Sequence, residues 1–152
     1  MALNEVIKEL ISDKESLKIV ASQNKEGVIN AVPKGSVEVT GNNEITYVEI
    51  LESGNSYKNI VYSIWFNKPV SITIIGKNKE TYLLSGHVQR VLTCGTEYEN
   101  YYRKYKETKG FDIAAAVKID IDSVLDLNIN ELIDKQRKEH PFYIHYDSIV
   151  AV

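Results

Sequence analysis

The chain has 152 residues, 43% of them apolar and 26% charged, with a net charge of −3. That length suits one domain with a real core, and the composition is globular, which excludes a fibre or a disordered tail. The negative balance argues against a general nucleic-acid surface, because holding a phosphate backbone needs clustered positive charge.

Leu3, Val6, Ile7, Leu10 and Ile11 recur at helical spacing and predict a short amphipathic helix. Leu17 to Ser22 reads as a strand, the polar run Asn24–Gly27 as a hairpin loop, and Val28 to Val32 as the antiparallel return. Pro33 cannot donate to a ladder, so this strand is interrupted or at an edge, with Lys34 and Gly35 at the break. Ser36 to Thr40 is expected to resume it, and Ile45 to Ile50 is another β run.

The stretch Gly54-Asn55-Ser56-Tyr57-Lys58-Asn59 then leads into a helix whose apolar positions are Tyr57, Ile60, Val61, Ile64 and Trp65. Lys58 and Asn59 fall in its first turn, where unpaired N–H groups and a lysine together suit a phosphate. The plainer reading is that Ser56 caps a helix that only packs. Past Pro69, Val70, Ile72, Ile74 and Ile75 form a β-branched strand, and Thr81 to Thr93 is long enough to be a bent one, with Gly86 as its bulge. Thr96-Glu97-Tyr98-Glu99 has the capping-box pattern and opens a helix with Tyr98, Tyr101, Tyr102 and Tyr105 on one face, ended by Gly110. Its Arg103, Lys104, Lys106 and Lys109 are interleaved with Glu99 and Glu107, as on a solvated face. Ala114 to Asp122 alternates as a last strong strand, and Asn130 to Lys138 is a weaker helix ended by Pro141. The aromatic tail Phe142–Tyr146 is expected to cover an apolar surface of this chain or of a second copy.

About six strands with short turns and irregularly inserted helices indicate a mainly β, α+β antiparallel barrel, residues 1–152 forming one domain with a C-terminal extension from about 126 to 152. No Gly-x-Gly-x-x-Gly follows a strand, which removes a Rossmann site. Cys94 is the only cysteine, so no intrachain disulfide forms and a reducing, cytoplasmic setting is expected. Glu5, Lys8 and Glu9 stand where a signal peptide would be apolar, and no run reaches bilayer-spanning length, so no membrane partner is expected. His140 and His145 lack the i, i+4 spacing of a zinc pair and no metal site is expected.

Three segments in order resemble a known family: Ile19-Val20-Ala21-Ser22 with Glu26-Gly27-Val28-Ile29-Asn30; Ser56-Tyr57-Lys58 with Asn67-Lys68-Pro69-Val70-Ser71-Ile72; and Leu84-Ser85-Gly86-His87-Val88. Over residues 3 to 125 they are similar to the FMN-binding split barrel of the pyridoxamine 5′-phosphate oxidase superfamily. The resemblance implies a homodimer of six-stranded Greek-key split barrels with peripheral helices, FMN lying in clefts at the subunit interface. It implies that Lys58 contacts the FMN phosphate, with Ser56 and Asn59 as neighbouring donors. Asn30, Ala31, Val32, Pro33 and Lys34 would line the flavin, Glu49 and Ile50 would be ring neighbours, and Phe111 of the other subunit would pack on the isoalloxazine. Lys34 either neutralises phosphate or reduced flavin, or is an exposed residue after a strand break.

Enzymes of that family that oxidise pyridoxamine phosphate carry an arginine after the first hairpin and an arginine-bearing C-terminal motif. Here Asn30-Ala31-Val32-Pro33 and Tyr143-Ile144-His145-Tyr146 stand instead, so the likeness is to the small FMN-binding members. The expected function is an FMN flavoprotein passing electrons between a small-molecule donor, such as a reduced nicotinamide, and a small acceptor. The alternatives are a non-enzymatic FMN electron carrier, a haem-binding split barrel and a reductase that uses the deazaflavin F420.

Overall fold

The computed structural model describes residues 3–141, in which seven antiparallel strands make one sheet, flanked by four helices. In chain order these are α1 (Glu5–Ser12), β1 (Leu17–Gln23), β2 (Ile29–Pro33), β3 (Glu38–Val39), β4 (Glu44–Glu49), α2 (Asn55–Phe66), β5 (Pro69–Ile75), β6 (Thr81–Leu92), α3 (Thr96–Lys109), β7 (Ala115–Asp126) and α4 (Ile129–Glu139). The sheet runs β2-β1-β5-β6-β7-β4-β3. Two hairpins thus form its rims around a β5-β6-β7 meander; the chain crosses from rim to rim between β2 and β3 and returns through α2 to β5, beside β1. The tail Phe142–Tyr146, with His145, lies outside the described residues. No helix among the described residues is long and apolar enough to cross a membrane.

The sheet has seven strands where six were expected, and the additional one is the two-residue β3. Ser36 to Thr40 does not resume β2; residues 34–37 carry the chain to the opposite rim, where Glu38 and Val39 pair with Thr46 and Ile45. Pro33 supplies no N–H for the ladder, and the Ser36 hydroxyl is occupied in accepting the Val48 N–H at 3.0 Å.

Most of the core lies on one face of the sheet, where Val20, Ile45, Tyr47, Val70, Ile72, Ile74, Leu84, Val117 and Ile119 are buried together with Ile7, Ile11 and Ile60 from α1 and α2. Asn4 caps α1 by accepting the Ile7 N–H at 2.9 Å. Val6 falls on the solvent side of α1, and Trp65 on α2 is 78% exposed, so both leave the apolar faces expected for them. The buried stripe of α2 instead runs through Asn59, Ile60 and Ser63. A second cluster, Val48, Leu92, Ile113 and Ala116, occupies the opposite face under Tyr98, Tyr101, Tyr102 and Tyr105 of α3. Cover on both faces explains why β7 reads as a nearly continuous buried run from Ala115 to Ile119.

The capping box at Thr96 does not form: Gly95 is the N-cap of α3 and makes no side-chain cap bond, while Glu99 lies 3.9 Å from Arg103 one turn on. Gly110 closes α3 at φ +74°, a left-handed residue as expected. Gly86 marks a register shift in the β6–β7 ladder, and a Cβ there would overlap the Asp120 carbonyl.

The start of α3 is tied to the sheet by Lys118, whose ammonium is 2.6 Å from Glu97 and 3.3 Å from Glu44. The hydrogen bond from Thr40, and then the Lys118 contact, hold the Glu44 carboxyl below its usual range. A carboxylate lowered in the fold adds stability that is whole above its unfolded pKa of 4.5 and is lost as pH falls through the lowered value.

Two outcomes follow for equilibrium unfolding in urea. Gly86→Ala should cost about 1–3 kcal/mol through forced backbone displacement, whereas Gly35→Ala, with open space around it, should stay within about 0.5 kcal/mol. Glu44→Gln should flatten the loss of stability between about pH 5 and about pH 3 relative to the parent chain; an unchanged acid limb would refute the assignment.

Candidate functional site

The link from β2 to β3, the end of β4, the start of α2 and the end of α3 enclose a cleft of about 720 Å³. That is ample for a cofactor-sized ring system. One wall is β2, which alternates so that Asn30 and Val32 face inward while Ala31 is exposed. Pro33, Lys34 and Gly35 continue this wall, and Glu49, Ile50 and Leu51 form the opposing one. Gly54, Asn55 and Ser56 close one end, and Tyr105, Lys109 and Phe111 stand at the other.

The floor is polar. Glu49 is 2% exposed, and its carboxylate accepts from the Lys34 ammonium at 2.9 Å and from the Ser56 hydroxyl at 2.6 Å. Lys34 is fixed at both ends, since its backbone N–H also donates to the Lys18 carbonyl at 2.8 Å. Beside them the Tyr47 ring lies 5.9 Å from the Lys34 ammonium. Among the described residues the buried Tyr47 hydroxyl has no hydrogen-bond partner, and burial, then the charge of Glu49, pushes its pKa well up.

Ser56 therefore does not cap α2; Gly54 is the N-cap, with no side-chain cap bond and no acidic residue in the first turn. The first-turn N–H groups stay available to an anion. Asn55, Lys58, Asn59 and Tyr62, spaced by three, four and seven, share one helix face and line a second cleft of about 380 Å³. The β1–β2 turn forms its other side through Asn24, Lys25 and Glu26.

Lys58 and Asn59 are thus not in the larger cleft but in its neighbour, and Asn30 and Asn55 belong to both. Asn30 Nδ2 is buried and donates to nothing among the described residues. Such a donor at the join of two clefts is suited to a ligand that runs through both. Phe111 stands in the cleft of its own chain, half exposed, where the resemblance had implied a copy from the other subunit.

The Phe111 loop is tied to α3 through Asp112. The Tyr102 hydroxyl donates to the Asp112 carboxylate at 2.5 Å and the Lys106 ammonium lies 3.0 Å from the same oxygen, and these two contacts, in that order, lower the Asp112 carboxyl. Tyr105 and Lys109, also at this end, carried no functional signal in the sequence, because their spacing is that of the packing and solvated faces of α3. Ser56 was legible as a donor, but its pairing with Glu49 joins residues seven apart across a turn and follows no motif.

No protein-family model matches the chain, and no curated protein matches it. Solved structures do. HupZ of Group A Streptococcus superposes with a TM-score of 0.71 at 21% identity, over 84% of this chain and 95% of that one. A candidate pyridoxamine 5′-phosphate oxidase from Lactobacillus delbrueckii gives 0.61 at 20% identity over 82% and 93%. An FMN-binding protein from Syntrophomonas wolfei gives 0.64 at 12% over 80% and 84%. An F420 reductase and HutZ, the haem storage protein of Vibrio cholerae, superpose at 0.61 and 0.59 with 11% and 12% identity. The chain therefore has the split-barrel fold found in pyridoxamine 5′-phosphate oxidase-like, FMN-binding and flavin-reductase proteins.

Proposed function

We propose that this chain is a flavoprotein that holds FMN across the two joined clefts and passes electrons between a small-molecule donor and a small acceptor. One observation carries the reading: the Asn30 amide nitrogen, without a partner among the described residues, lies at the join between a cleft bounded by Phe111 and a cleft that holds Lys58. A planar ring fits along β2 in the larger space, and a terminal phosphate fits the smaller one, where Lys58 and the α2 first turn converge. In the larger cleft the Lys34 ammonium is already engaged by Glu49, whereas Lys58 stands at the helix start in the smaller one, which favours this orientation over its reverse.

When bound, the isoalloxazine supplies the electron chemistry. The chain's own part is to grip the phosphate through Lys58, satisfy a ligand acceptor with Asn30, and flank the ring with Val32 and Phe111. Ile50, Leu51 and Phe111 are exposed around the mouth. In this reading a second copy covers that apolar rim, giving a homodimer that shields the ring from water. Haem is the rival ligand, since HutZ shares the fold. Against it, no histidine among the described residues lines either cleft, and His87 is bonded to Asp122 on the β6–β7 surface.

Absorption and fluorescence titrations with FMN, riboflavin, F420 and haem test the proposal. FMN should bind well ahead of the others, and Lys58→Ala should weaken FMN by about 1.5–3 kcal/mol, or about 10- to 150-fold, while leaving riboflavin unchanged. Equal loss for both flavins, or none, would remove the phosphate role. Phe111→Ala should lower the affinity of both flavins by about 0.5–1.5 kcal/mol and change their bound fluorescence.

A further inference from the structure

The larger cleft contains an ion pair that a simple ring pocket does not need. Lys34 and Glu49 meet at 2.9 Å with side chains 18% and 3% exposed, so water screens them little. Burying two charges in this way is costly, and hydrophobic residues of similar volume would pack at least as well. The pair is also held with unusual definition, Glu49 by Ser56 of α2 and Lys34 by its own backbone bond to Lys18. An ammonium has three N–H donors, and only one bond to Glu49 is made here. Lys109, the other cation in this cleft, is exposed at the mouth and screened.

We infer that Lys34 is a ligand-contacting residue that donates to the carbonyl edge of the bound ring, and that Glu49 is a positioning residue that aims this ammonium and cancels its charge. The inference rests on the flavin reading and deepens it. Oxidised flavin is neutral at its ring, and reduction by two electrons with uptake of one proton leaves it with one negative charge. An unopposed lysine beside the ring would favour the reduced form strongly. The balanced pair offers the donor without that bias, so the cleft holds both oxidation states with similar affinity.

Glu49→Gln keeps an oxygen for the Lys34 or Ser56 bond and removes the opposing charge. The ratio of affinities for reduced over oxidised FMN should rise at least tenfold, which for a two-electron couple is about 30 mV toward positive potential. It is read by dithionite titration against a reference dye, with circular dichroism confirming the fold. The paired variant K34M/E49Q leaves no buried charge unpaired. It should return the ratio to within about twofold of the parent, yet bind oxidised FMN about tenfold more weakly.

An E49Q ratio within about twofold of the parent overturns the positioning role, and undiminished FMN affinity in the paired variant overturns the Lys34 contact. If E49Q does not fold, the paired variant alone decides. Failure of the parent chain to bind FMN at all sinks the flavin reading together with this one. Tight binding that depends on Lys58, with no effect of either variant, sinks this inference alone.

Discussion

A carboxylate removed from water has to be met by donors, and Glu49 is met by groups from two other segments, 15 residues before it and seven after. Lys34 comes from the link between rims, Glu49 from the end of β4, and Ser56 from the first turn of α2. These segments are walls of the larger cleft, so the three-way contact fixes the shape of the site as well as its charge. Removing one partner of such a buried pair typically costs about 3–5 kcal/mol. The geometry of the cleft is therefore locked to the integrity of the fold.

How far the residues foretold this differs with the range of the interaction involved. β5, β6 and β7 were legible because alternation, β-branching and a bulge glycine are local signals, and the αL glycine closing α3 is local as well. The errors came where a tertiary partner overrode the local pattern. Thr96 to Glu99 satisfies the capping-box spacing, but Gly95 starts the helix and Glu97 turns to Lys118. Ser36 to Thr40 looks like a strand, but Pro33 ends the ladder and Ser36 is used as an acceptor. Trp65 fits the helical apolar period, but the face of α2 that meets the sheet is rotated toward Asn59 and Ser63.

The site was legible as a set of segments and not as a geometry. β2, the end of β4, the start of α2 and Phe111 do converge, and this followed from family likeness in motif order. What could not be seen was that α2 divides the space, with Ser56 turned to one cleft and Lys58 to the other. Two residues on a helix differ by about 200° in direction, and only the packing of α2 decides where each points. The fold by itself leaves the ligand open, since proteins with the same barrel include an FMN-binding protein, an F420 reductase and a haem storage protein. The identity of the polar groups along the cleft has to carry that distinction.

The rotation of α2 has a further optical consequence. The chain's single tryptophan stands almost wholly in solvent on the outer side of that helix. Its emission should resemble that of free indole in water whether the barrel is intact or denatured, and so report poorly on unfolding. The same indole is instead a natural beacon for anything that settles on that flank, since only a covering surface would shift its colour toward the blue.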